Sequence, residues 1–312
     1  MNMSNPAAES LTTPPAPLET GGGGSRKIAR EASRETSGTL SRRIAIKLIA
    51  SSLILTWANA SFGQLASGFD HQYAAWDVLL KKHVKWLPDN KQSRVNYKGF
   101  SADRAELKKQ LDAFSAVPKA DFDKWTKPQQ MAFLVNAYNA FTVEHILSTY
   151  PNLKSIKDLG SLVSSAWKKK FFTLLGEERH LDWIEHEQLR PLYSEPRIHV
   201  AVNCASIGCP ALFAEAFTAS RMDALLDDGM VRFMGDRTRN RMANGKLEVS
   251  QIFKWFKEDF EKGNKGFAKL EDVFAKYADQ LTDVPADREK LRAKTVAVSN
   301  LDYDWSLNDV GR

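Results

Sequence analysis

Cysteine is the scarcest informative residue: the 312-residue chain has only two. That excludes a disulfide-dense mini-scaffold, and Cys–x4–Cys with no second close pair matches zinc-ligand spacing poorly. Long apolar runs are also lacking, which excludes a multi-span membrane protein, and no sustained heptad pattern points to a coiled coil. There is no Gly-rich phosphate cradle, no nucleophile-elbow serine and no His-Glu-x-x-His helix. A large excess of one charge sign is lacking as well. The formal net charge is +6, but residues 1–60 hold seven Lys/Arg against four Asp/Glu, leaving 37 basic and 34 acidic residues beyond them. A net charge of +3 over residues 61–312 gives no nucleic-acid surface. What remains is ordinary globular composition, 43% hydrophobic and 26% charged, over a length that can bury a sizeable core.

Residues 1–40 are rich in Ser, Thr, Pro and Gly and read as a disordered extension, because they cannot bury enough surface to offset their ordering entropy. Residues 41–60 read as an export signal. Arg42, Arg43 and Lys47 form a basic start, Leu48 to Ala58 an apolar stretch, and Ala58-Asn59-Ala60 a small-residue cleavage site. The paired arginines resemble a twin-arginine signal, although Ala45 departs from the bulky residue usual there. The expectation is a periplasmic or secreted protein cleaved after Ala60, with no stable membrane span and a single domain over 61–312.

Periodicity over 61–312 predicts an α+β fold, mostly helical, with a small mixed or antiparallel sheet and a buried central helix. Helices are expected over 70–86, behind Ser101 or Asp103, and from a Thr126/Gln129 capping box through Tyr150. The third is apolar nearly all round, which places it centrally. Residues 170–182 predict a hairpin turning at Gly176, and Asp182/Glu185 a capping box opening a short helix that carries His186. Arg197 to Asn203 alternates as a strand does. Further helices are expected at 220–235, 251–262, 267–279 and 286–294, with a strand at Thr295–Ser299.

Three stretches carry candidate chemistry. Asn136 and Asn139 flank Tyr138 on the buried helix and need hydrogen-bond partners, either as ties to loops or as a pocket wall. Glu185-His186-Glu187 offers an imidazole between carboxylates. Pro196 to Pro210 holds His199, Asn203, Cys204 and Cys209. An even cysteine pair in an exported chain reads most simply as a Cys204–Cys209 disulfide. The other arrangement makes Cys204 a nucleophile at a strand end, with His186 or His145 as its base. A strand would put His199 on the opposite face, about 16 Å away. The pocket candidates are Asn136, Tyr138, Asn139, His199 and Asn203; no metal site and no cofactor is expected. Lys168-Lys169-Lys170 and the basic 236–246 stretch read as solvated surface.

Five stretches together resemble the family called domain of unknown function 547: Phe133 to Ala140, Ile184-Glu185-His186, Pro196 to Pro210, Ile252 to Phe256 with Glu258-Asp259-Phe260, and Tyr303 to Asn308. Phe256 stands where a tyrosine is common. The resemblance spans about residues 72–308 and implies one intact domain, but brings no settled activity, substrate or cofactor. Two functions fit the residues. One is an exported domain, stapled by Cys204–Cys209, that binds an envelope ligand or protein. The other is a cysteine-dependent hydrolase or acyl transferase, with Asn136 and Asn139 or loop amides steadying the oxyanion.

Overall fold

The organising element is the helix Lys127–Leu147, which is buried on every side. The computed structural model describes residues 68–161 and 164–311; the expected extension and export signal lie outside the described residues. The helix opens as its sequence dictates. Thr126 Oγ1 accepts from the Gln129 amide at 3.4 Å, and Gln129 Oε1 accepts from the Thr126 amide at 3.0 Å, with Pro128 in the first turn. Around it pack the helices Tyr97–Ala102 and Arg104–Ser115 and the segment Trp183–Leu189. Among the described residues no helix is long and apolar enough to cross a membrane.

Two apolar clusters divide the interior. The larger, including Trp76, Phe100, Phe114 and Phe133, surrounds the central helix. The smaller, including Phe233, Phe253, Phe260 and Phe274, joins the helix Met222–Gly235 to the later elements. The architecture is α+β and mostly helical. Its strands are short: Val84–Trp86 pairs antiparallel with Ser93–Val95, and Phe172–Leu174 with Glu177–Arg179. Lys246–Val249 pairs antiparallel with Arg241–Ala243 and parallel with Val298–Asn300. The Phe172 hairpin turns through Leu175 (φ 54°) and Gly176 (φ 86°), the two positive-φ positions of a tight two-residue turn.

Several elements depart from the sequence pattern for identifiable reasons. The helix at 70–86 is Ala74–His83, and the extended Val84 turns the chain into a strand. Asp103 precedes Arg104–Ser115, but its carboxylate goes to His83 Nε2 and Lys82 Nζ, each at 2.6 Å, rather than to the helix amides. The Asp182/Glu185 capping box does not form. Trp183–Leu189 winds as a π-helical segment, and His180 Nδ1 accepts the Trp183 amide at 3.0 Å instead.

The expected strand at Arg197–Asn203 is corrected to a 3₁₀ turn, Pro196–Val200. Every side chain from Pro196 to Asn203 is buried, so alternation there distinguishes no faces. Pro196 presets a helical φ, and the Glu195 carboxylate accepts the Arg197 amide at 3.1 Å. Residues 251–262 break at Phe256 into Ile252–Trp255 and Lys257–Phe260. The 236–246 stretch is not plain surface, since Asp236 and Arg239 form a buried ion pair at 2.7 Å.

Candidate functional site

A cavity of about 260 Å³ opens where the two apolar clusters meet, with Tyr138 and Val202 from one and Ile252 from the other in its wall. Amide side chains fix the chain that forms this wall. Asn136 Nδ2 donates to the Phe217 carbonyl at 2.7 Å and its Oδ1 accepts the Phe217 amide at 3.1 Å. Asn139 likewise donates to the Ala201 carbonyl at 2.8 Å and accepts the Asn203 amide at 2.9 Å. Both asparagines are therefore engaged by loop backbone through both amide atoms, and neither lines the cavity. Asn203 continues the chain of ties, donating to the Pro210 carbonyl at 2.8 Å and accepting the Ala205 amide at 2.9 Å. Ala205 thereby holds a left-handed φ of 63°.

The turn after Asn203 is clamped by residues from the far end of the sequence. The Ile207 and Gly208 amides donate to the Ser306 and Asp304 carbonyls, each at 2.8 Å, and the Asn308 amide to Ala205 at 3.0 Å. Gly208 suits this close approach: a Cβ there would lie 3.0 Å from the Asp304 carbonyl oxygen and from the Tyr303 ring, and both would have to give way.

Inside the turn sit two free thiols, Cys204 partly exposed and Cys209 buried. The expected disulfide is not present, although the sulfurs are neighbours. The Cys204 amide donates to Cys209 Sγ at 3.1 Å. The single Cys209 S–H faces two acceptors, the Val202 carbonyl at 3.7 Å and the Cys204 sulfur. An ionised Cys204 is the stronger of these. The Cys204 sulfur also lies 3.1 Å from Ser206 Oγ and 3.2 Å from the Tyr303 hydroxyl, which are 2.9 Å apart. In that triangle a thiolate is the member without a proton and must be the acceptor.

The hydrogen bond from Cys209 does most to bring Cys204 down to about 7, against the cost of burial and with help from Ser206 and Tyr303. Burial pushes Cys209 and Tyr303 well up, so both remain protonated donors. Behind the turn the buried Arg239 guanidinium donates to the Cys209 carbonyl.

The opposite wall is ionic. His199, 3% exposed, donates from Nε2 to Asp259 Oδ2 at 2.9 Å and stacks on Phe256 with ring centres 3.9 Å apart. Its Nδ1 has no hydrogen-bond partner among the described residues and stands 3.7 Å from Glu185 Oε1. Burial lowers the His199 pKa despite Asp259, and burial raises that of Glu185 despite His199. Asp259, although burial opposes it, is held well below the carboxylate range by His199, Arg190 and Lys262. His186 Nδ1 accepts from Arg190 Nη1 at 2.9 Å and its Nε2 lies 3.7 Å from Asp182. Trp167, Trp255 and Trp305 form the aromatic rim, Trp255 and Trp305 stacking at 5.6 Å.

The fold thus brings Tyr138, His186, His199, Cys204 and Cys209 to one cavity, and leaves Asn136, Asn139 and Asn203 as its supports. His199 shares the cavity with Cys204 because the segment between them is turned, not extended. His145 is elsewhere: its Nε2 donates to the Ala166 carbonyl at 3.1 Å and its ring stacks on Phe171. Sequence reasoning missed Ser206, Asp259 and Tyr303. All three lie in stretches quoted for the family resemblance, which was the available signal. Among the described residues no group of three or more His, Cys, Asp or Glu could hold a metal ion.

Residues 122–234 match the family model described as protein of unknown function, DUF547, which supports a domain of that family over that span. The matched span holds the central helix and both cysteines and stops short of Phe256 and Tyr303. No curated protein and no solved structure matches the chain.

Proposed function

We propose that this protein is a thiol-dependent enzyme whose nucleophile is Cys204. One observation carries the reading: two hydroxyls, Ser206 at 3.1 Å and Tyr303 at 3.2 Å, converge on a partly exposed sulfur in a cavity wall, with the Cys209 thiol beside it. With a pKa of about 7 roughly half of the thiol is ionised at neutral pH, against a few per cent for an ordinary cysteine. The donors replace the histidine base expected for such a thiol. Among the described residues no imidazole nitrogen hydrogen-bonds the Cys204 sulfur, and His186 and His199 are engaged by Arg190 and Asp259. The electrophile is a small group presented within the aromatic rim. A periplasmic or secreted location belongs to the same proposal, supported by Arg42-Arg43 and the apolar run before Ala60.

Native alkylation of the full chain with iodoacetamide across pH tests this reading. Cys204 is expected to be labelled alone, with its rate rising through a midpoint near 7, and Cys204→Ala to remain unlabelled. A midpoint at the ordinary value near 8.5, or equal labelling of Cys209, refutes it and leaves a binding role without chemistry.

A further inference from the structure

Resting on Cys204 as the nucleophile, we infer that Cys204 and Cys209 form a working redox pair and that the substrates are disulfides and dithiols. A second thiol sits beside the attacking residue, its sulfur 3.1 Å from the Cys204 amide nitrogen, and only sulfur chemistry gives that neighbour a covalent part. Exposure is unequal in the sense that exchange requires. Cys204 is reachable from the cavity, while Cys209 is 6% exposed and bonded to the Cys204 amide through its sulfur. The residues between them are held by the Ser306 and Asp304 carbonyls, so closure asks for movement of sulfur atoms more than of backbone.

The step balances without a cofactor. The Cys204 thiolate attacks one sulfur of a substrate disulfide, forming a mixed disulfide and releasing one substrate thiolate. Cys209 then gives its proton to that thiolate through solvent and attacks the Cys204 sulfur. The Cys204–substrate bond breaks, the second substrate thiolate leaves, and a Cys204–Cys209 disulfide remains. Two protein thiols are oxidised and one substrate disulfide is reduced. Once Cys204 is in a mixed disulfide, its charge no longer holds the Cys209 proton in place, and the Cys204 amide is left to stabilise the Cys209 thiolate.

The same contacts set the preferred direction. Ser206 and Tyr303 donate to a thiolate and lose that acceptor when the disulfide closes, so the reduced pair is favoured. The closed form is therefore a ready oxidant of substrate dithiols, regenerated by an external disulfide.

The test uses the reduced full chain with excess glutathione disulfide near pH 7, acid quench, alkylation and intact mass. Wild type is expected to pass through a glutathione adduct to an internal disulfide with no alkylatable thiol. Cys209→Ala and Cys209→Ser should stop at the Cys204–glutathione adduct, and Cys204→Ala should lose adduct formation by about tenfold or more. Equilibration in glutathione buffers should show Tyr303→Phe shifted toward the disulfide. A wild-type adduct that persists without internal closure, while Cys204 still alkylates with a midpoint near 7, overturns the pair but leaves the nucleophile standing. Absence of both adduct and alkylation removes both. Should the Cys209 variants fail to fold, the wild-type product alone decides the inference. An unchanged Tyr303→Phe equilibrium overturns its direction.

Discussion

The two walls of the cavity solve the problem of burying reactive groups in opposite ways. At the histidine wall full charges meet, Asp259 facing Arg190 at 2.5 Å and Lys262 at 2.8 Å, and the same carboxylate accepts a hydrogen bond from His199 at 2.9 Å. At the sulfur wall the tuning comes from neutral donors, a thiol and two hydroxyls, and among the described residues no carboxylate hydrogen-bonds either sulfur. A buried ionic cluster is expensive to break, because each lost partner strands the others. Neutral donors cost little to assemble and move a pKa without fixing much of the fold. On the proposed reading, the first wall therefore carries stability and the second reactivity.

Breaking that contrast begins with Asp259. Asp259→Ala leaves His199 and Arg190 unmatched and should cost about 3–5 kcal/mol in a denaturant melt, with the Cys204 alkylation midpoint unmoved; a loss below about 1 kcal/mol would show that the cluster is ornamental. Asn136→Leu tests the central helix that carries Tyr138 into the cavity. It removes two hydrogen bonds to Phe217 and should destabilise by about 1–3 kcal/mol despite the more apolar helix, so a melting temperature at or above wild type would count against it.

Acid sharpens the contrast further. His199 binds its proton less readily folded than unfolded, so its contribution is complete above the ordinary imidazole value near 6.5 and is lost as pH falls below it. Asp259, depressed, adds a loss below the ordinary carboxylate range. Glu185, raised, works the other way and gains as pH falls through its own value. Urea melts at pH 7.5 and 5 should show wild type losing stability and His199→Gln losing less. Equal losses would place the acid response outside this wall.

At the sulfur wall the effects are smaller in stability and clear in rate. Cys209→Ala should raise the Cys204 alkylation midpoint above 7, since Cys209 is its strongest donor. Tyr303→Phe should raise it less, with a melting cost of about 1 kcal/mol. A larger shift for Tyr303→Phe than for Cys209→Ala would reverse the ranking of the donors.

Legibility in the sequence followed the range of the interaction. The Thr126/Gln129 box, the Phe172 hairpin and the need of Asn136 and Asn139 for partners are local matters of chemistry, and they could be read directly. The turn at Pro196–Val200 could not, because burial on every side removes the difference between faces that periodicity reports. Asp182/Glu185 had the spacing of a capping box, yet these carboxylates stand beside His186 and His199. Both cysteines were visible as a site, but the hydroxyl that tunes one of them is 99 residues away, and spacing carries no trace of such a contact.

That separation has a bearing on how the protein comes into being. A growing chain emits Cys204 long before Tyr303, and the carbonyls of Asp304 and Ser306 that shape the cysteine turn arrive later still. Until this late segment docks, the sulfur lacks its phenol and its turn lacks its clasp, leaving it closer to an unremarkable thiol. On the proposed reading, competence at Cys204 thus waits for the finished molecule.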